Sequence, residues 1–91
     1  MVRWIKEDQR ERQCWFYRVR TTYGTVDGPK PVDIAIAYIE YFKKDPFGYR
    51  VNVRAPGATD FDTIGVFPDL SRAQKEAENA AEPTRILLDS A

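Results

Sequence analysis

Residues Ile34 to Phe42 read IAIAYIEYF, and Glu40 is the only charge among them. Elsewhere the chain is polar and heavily charged, so this is the one segment whose burial is dictated. A bilayer span needs about 20 apolar residues. The run is shorter than that and interrupted, so it belongs to a protein core or an interface. As an extended chain it alternates poorly, with Ile34, Ile36, Tyr38 and Phe42 on one side and Ala35, Ala37, Ile39 and Tyr41 on the other. A fully buried strand and a helix both fit such a pattern. Three features favour a helix from Pro31 to Lys44. Pro31 suits the first turn, where its missing N–H costs nothing. Asp33 near the start and Lys43 and Lys44 near the end match the helix dipole. Asp45 is pushed out of the α region by Pro46, which stops the helix. Ile34, Ala35, Tyr38, Ile39 and Phe42 then make one buried stripe. Ile36 and Tyr41 are left on its flanks as surplus apolar surface.

The remaining elements follow from local signals. Val2 to Ile5 reads as a short strand, and Glu7 to Gln13 as a polar connection. Cys14 to Tyr23 has the aromatic and β-branched content of a strand, with Trp15, Tyr17 and Val19 on one face and Phe16, Arg18 and Arg20 on the other. Gly24 and Asp27-Gly28-Pro29 close it. Phe47 to Arg54 alternates cleanly, Tyr49, Val51 and Val53 against Arg50, Asn52 and Arg54. Pro56-Gly57 fits the centre of a type II turn, and Phe61 to Phe67 returns as the second arm of a hairpin. Asp69 or Ser71 caps a helix to about Glu82, where Pro83 blocks continuation. Its stripe of Leu70, Ala73, Ala77, Ala80 and Ala81 lets it lie close to a sheet. Thr84 to Leu88 reads as a last strand. The expected fold is a single α+β domain over residues 1–91, ordered β-β-α-β-β-α-β, with an antiparallel sheet of four to five strands and two helices.

The chemistry is bounded mainly by what is missing. The sequence has no histidine and one cysteine, Cys14. Ser-His-Asp and Cys-His catalysis are excluded, as are disulfide frameworks and cysteine-rich zinc sites. The dispersed glycines form no phosphate-cradling loop. Asp60 and Asp62, with Asn52 on the facing strand, are the nearest approach to a magnesium pair, and read more simply as solvated charges flanking a turn. Cys14 reads as a buried structural residue. No enzymatic activity, cofactor or metal is expected. Fourteen basic and fourteen acidic residues give no net charge, so attraction to polyanions has to come from a local basic face. With no charged apolar leader and a single thiol, a cytoplasmic location without membrane association is expected.

Two binding surfaces remain. The first is a protein partner or homodimer seam formed by Ile36 and Tyr41 with Trp15 and Phe16, because aromatic residues and arginine anchor interfaces. On this reading the chain is a small regulator or inhibitor of a larger complex, of the kind familiar among accessory proteins of phages and mobile elements. The second is a nucleic-acid face carrying Arg18, Arg20, Arg50, Asn52 and Arg54 beside Phe16, since phosphate attraction and base stacking need basic groups interleaved with aromatics.

The segment Tyr49-Arg50-Val51-Asn52-Val53-Arg54, followed by Ile64-Gly65-Val66-Phe67 and a helix with Ala73 and Ala77, is similar to the strand-strand-helix core of arm-binding domains in tyrosine integrases. That resemblance implies a sheet laid in a DNA groove. The second strand departs from it, carrying Asp60 and Asp62 where a basic strand would be expected.

Overall fold

The computed structural model describes residues 2–43 and 48–89. The chain forms strands β1 (Val2–Asp8), β2 (Arg12–Thr25), β3 (Gly28–Phe42), β4 (Tyr49–Arg54) and β5 (Phe61–Phe67), then helix α1 (Leu70–Asp89). The strands pair in sequence order as one antiparallel five-stranded sheet. α1 lies across one face of it, against β2, β3, β4 and β5. The α+β class and the antiparallel sheet agree with the sequence, but among the described residues one helix is present where two were expected.

The first correction concerns the apolar run, which is the central strand β3 rather than a helix from Pro31. Its alternation fails on paper because the strand carries a β-bulge. Ala35 pairs with Arg18 and Ala37 with Tyr17, leaving Ile36 as the extra residue. A bulge reverses the phase of the pleat, so Ile34, Ile36, Ala37, Ile39 and Tyr41 all join the core. Val32 and the isoleucines also suit an extended backbone better than a helix. Asp33 and Lys43 therefore serve no helix dipole. Asp33 pairs with Arg3 and Arg20, and Lys43 with Asp8 at 2.9 Å. The expected end of that helix at Lys44, its Asp45-Pro46 stop and the strand start at Phe47 lie outside the described residues.

The second correction is at Pro83, which neither ends α1 nor precedes a strand. The helix continues through it to Asp89. Losing one backbone donor is outweighed by what the final turns gain. Thr84 is buried and its hydroxyl donates to the Arg54 carbonyl at 2.7 Å, while Arg85 bonds Asp89 at 3.0 Å. At the other end Asp69 is the cap, its Oδ1 accepting from the Arg72 N–H at 2.8 Å. Ala73, Ala77 and Ala81 are fully buried, and their small side chains let α1 approach the sheet closely; Ala80 faces solvent.

The Pro56-Gly57 turn forms as its residues require. Gly57 takes φ 77° and the Ala58 N–H donates to the Ala55 carbonyl at 3.0 Å. The β2–β3 hairpin is longer than expected, because β2 passes through Gly24 to Thr25. Pairing with β1 ends at Val19 and pairing with β4 ends at Ala37, so residues 20–36 project as a two-stranded arm. Pro29 and Pro31, two apart in the arm, each lack a backbone donor, and proline on an exposed strand discourages pairing with another strand.

Candidate functional site

Since α1 covers one face of the sheet, the opposite face is the one to read for function. Strand registers fix its contents, because directly paired residues share a face. Arg3 pairs with Arg18, Phe16 with Tyr38, Tyr38 with Asn52, Glu40 with Arg50, and Arg54 with Phe61. Arg18, Arg20, Arg50, Asn52 and Arg54 thus come together on this open face beside Phe16. The strands dictate this, since period-2 alternation places every second residue of β2 and β4 on it.

The aromatic groups form a row across the strands. Phe16 stacks on Tyr38 with centroids 5.9 Å apart, and Tyr38 meets Phe61 edge-on at 4.9 Å. An arginine closes each end. The Arg18 guanidinium lies 5.4 Å from the Phe16 centroid and that of Arg54 lies 4.7 Å from Phe61. Arg50 sits 5.6 Å over Phe42. The Nε–H groups of Arg18 and Arg54 are buried with no acceptor. A buried donor left unmade is costly; at both ends the guanidinium lies over an aromatic ring, while its outer N–H groups are the ones an external acceptor could reach.

Beside the row runs a polar chain. Gln9 Oε1 accepts from Arg12 Nε at 2.7 Å, and Arg12 Nη1 donates to Glu40 Oε2. Glu40 Oε1 accepts from Asn52 Nδ2 at 3.1 Å, and Asn52 Oδ1 accepts from the Thr63 hydroxyl at 2.7 Å. Asn52 is therefore on the expected face but not free to read a ligand: it is buried and spoken for on both sides of its amide. Burial pushes the Tyr38 hydroxyl above its ordinary range, with Glu40 adding to the effect. It likewise raises the Cys14 thiol, which is fully buried as a structural cysteine should be.

At the arm end of the face, Asp33 is gripped by two arginines. Arg20 Nε bonds its Oδ1 at 3.1 Å and Arg3 Nη2 its Oδ2 at 3.3 Å. The bond from Arg20 holds the Asp33 carboxyl below its usual range. Arg3, Arg18, Arg20 and Asp33 line a cavity of about 180 Å³.

The residues expected at a partner seam are dispersed. Ile36 and Trp15 are buried in the core, which takes away the surplus helical surface on which that seam rested. Tyr41 stacks on Tyr49 at 4.9 Å on the α1 side. Phe16 alone is on the open face. Asn52 does not join the carboxylates: Asp62 pairs with Val53, whereas Asn52 pairs with Thr63, so Asp62 and Asn52 point to opposite sides of the sheet. No cluster of three or more metal-ligating side chains occurs among the described residues, nor is any helix there long and apolar enough to cross a membrane.

Sequence reasoning missed Arg3, Arg12, Tyr38, Glu40 and Phe61 as members of this face. The alternation of Arg3 with Val2 and Trp4 was a usable signal; Tyr38 and Glu40 were hidden by the helical reading of their strand. No family model, curated protein or solved structure matches this chain.

Proposed function

We propose that the open sheet face binds nucleic acid, its arginines taking backbone phosphates and its aromatic row receiving bases, with no catalytic role. The observation that carries this reading is the Arg18–Phe16–Tyr38–Phe61–Arg54 row, in which each terminal guanidinium keeps one buried N–H without an acceptor. Charge segregation supports it despite the neutral total. Arg3, Arg12, Arg18, Arg20, Arg50 and Arg54 face Glu7, Asp33 and Glu40 there, a local excess of positive charge. Asp62, one of the two residues that depart from a basic strand, points to the other side and so does not oppose a phosphate on this one.

Titrating labelled single- and double-stranded oligonucleotides at several salt concentrations tests the proposal. Affinity is expected to fall steeply with salt. Arg50→Glu together with Arg54→Glu should abolish binding, and Arg50→Glu alone, at an exposed position, should weaken it without loss of fold. Absence of any retardation at low salt would end the reading.

A protein partner is the second reading. It is supported by the same half-buried aromatics, with Phe16 rather than Ile36 or Trp15 as its anchor. Light scattering after size exclusion distinguishes a homodimer from a monomer on that account.

A further inference from the structure

Building on the nucleic-acid reading, we infer that the cavity between Arg3, Arg18, Arg20 and Asp33 receives a terminal phosphate monoester, the phosphorylated end of a strand whose bases then cross the aromatic row. Three guanidiniums face one carboxylate there. Asp33, pinned by Arg20 and Arg3, leaves the cavity with an excess of two positive charges. A monoester carries about −1.5 to −2 at neutral pH and offers three acceptor oxygens, whereas a backbone diester carries a single charge. The charge balance therefore favours an end over an internal phosphate.

Geometry agrees with chemistry. Asp33 holds Arg20 through Nε at 3.1 Å and Nη2 at 3.4 Å, so this guanidinium is oriented before any ligand arrives. Arg3 and Arg20 remain well exposed, at 57% and 62% of their side chains, with donors to spare. Arg18 lines the same cavity and carries one of the buried N–H groups without an acceptor. At about 180 Å³ the space far exceeds what one water needs and is enough for a phosphate group. The position is also that of an end. β1 stops opposite Val19 and the β2–β3 arm rises beyond it, while Phe16, two residues before Arg18, starts the aromatic row.

The experiment compares one oligonucleotide sequence carrying a 5′-phosphate, a 3′-phosphate or hydroxyls at both ends, measured by fluorescence anisotropy with the full chain. One phosphorylated end should bind about tenfold tighter than the hydroxyl form, the scale of one or two charge-assisted hydrogen bonds. Arg20→Gln and Arg3→Gln, both at exposed positions, should weaken the phosphorylated form more than the hydroxyl form and so erase that preference, whereas Arg50→Gln, outside the cavity, should weaken both forms alike and keep it. Equal affinity for all three forms would overturn the inference and leave the nucleic-acid reading standing. Failure to bind any of them would overturn both. A nucleoside 5′-monophosphate that competes as strongly as the phosphorylated strand would put a free nucleotide, not a strand end, in the cavity.

Discussion

Asn52 donates from Nδ2 to Glu40 Oε1 at 3.1 Å, and both side chains are buried, 4% and 6% exposed. Glu40 is thus the junction of a chain that ties β2 to β5, taking Arg12 on one oxygen and Asn52 on the other. Glu40→Ala leaves an amide donor buried without an acceptor and a guanidinium without its counter-charge. We expect a loss of about 2–4 kcal/mol, read as a lower urea midpoint at unchanged m-value. Glu40→Gln keeps an acceptor for Asn52 and should cost about half as much. Equal losses for the two would show that the charge, not the acceptor, holds the junction.

How far the sequence could be read depended on whether the signal was local. The Arg50-Asn52-Arg54 alternation and the Pro56-Gly57 turn each depend on residues a few positions apart and formed as expected; the cap, open between Asp69 and Ser71 in the sequence, is Asp69. β3 did not yield to the same reading, because the bulge at Ile36 is set by pairing with β2 and no periodicity announces it. Pro83 misled for a related reason: the propensity penalty is local, while the Thr84–Arg54 bond that offsets it spans 30 residues. For the open face, alternation paired Arg18 with Arg20 and Arg50 with Arg54, but that the two pairs share one face depends on the registers of β2 with β3 and β3 with β4. The clasp of Arg3 on Asp33, 30 residues apart, needed the register of three strands.

Salt dependence would separate the two kinds of contact on the proposed nucleic-acid face. On that proposal Arg50→Ala removes one phosphate contact, so the slope of log affinity against log salt should flatten by about 0.7 for a single strand. Phe61→Ala removes a stacking surface, which should weaken binding by about 1–3 kcal/mol at an unchanged slope. An identical slope change in both variants would contradict the division of roles.

Stability should fall on the alkaline side. Burial favours the neutral forms of Cys14, Tyr17 and Tyr38, raising each above its ordinary value of 9.0 or 10.0. A raised folded-state value means that the unfolded chain loses these protons first. The contribution is whole below about pH 9 and drains away as pH rises through the folded-state values. Melting temperature from pH 7 to 11 should be level and then decline. Tyr38→Phe should make the decline shallower; an unchanged slope would remove Tyr38 from the account.

Gly48 adopts φ 134°, and a Cβ there would meet the Phe67 carbonyl oxygen at 2.7 Å. Both the backbone region and the contact exclude a side chain without movement of β5. Gly48→Ala is expected to cost about 1–3 kcal/mol. Gly57→Ala meets no atom within 4 Å and should cost only the smaller conformational term, about 1 kcal/mol. Comparing the two denaturation midpoints separates steric clash from backbone strain.

Pro83 lies in the exposed part of α1, with two further turns of helix after it. It withholds a donor from the carbonyl four residues back, at Asn79. In a helix interior proline is about 3 kcal/mol worse than alanine, and about 1 kcal/mol of this returns through the stiffer unfolded chain. Pro83→Ala should therefore stabilise the protein by about 1–2 kcal/mol, seen as a higher melting temperature. The neighbouring Thr84→Val should act in the opposite sense by about 1 kcal/mol, because the hydroxyl's bond to the Arg54 carbonyl at 2.7 Å is lost. A lower melting temperature for Pro83→Ala would mean that a bend at Pro83 is what seats Thr84 on β4. The two substitutions would then be non-additive in the double variant, since both would act on one contact.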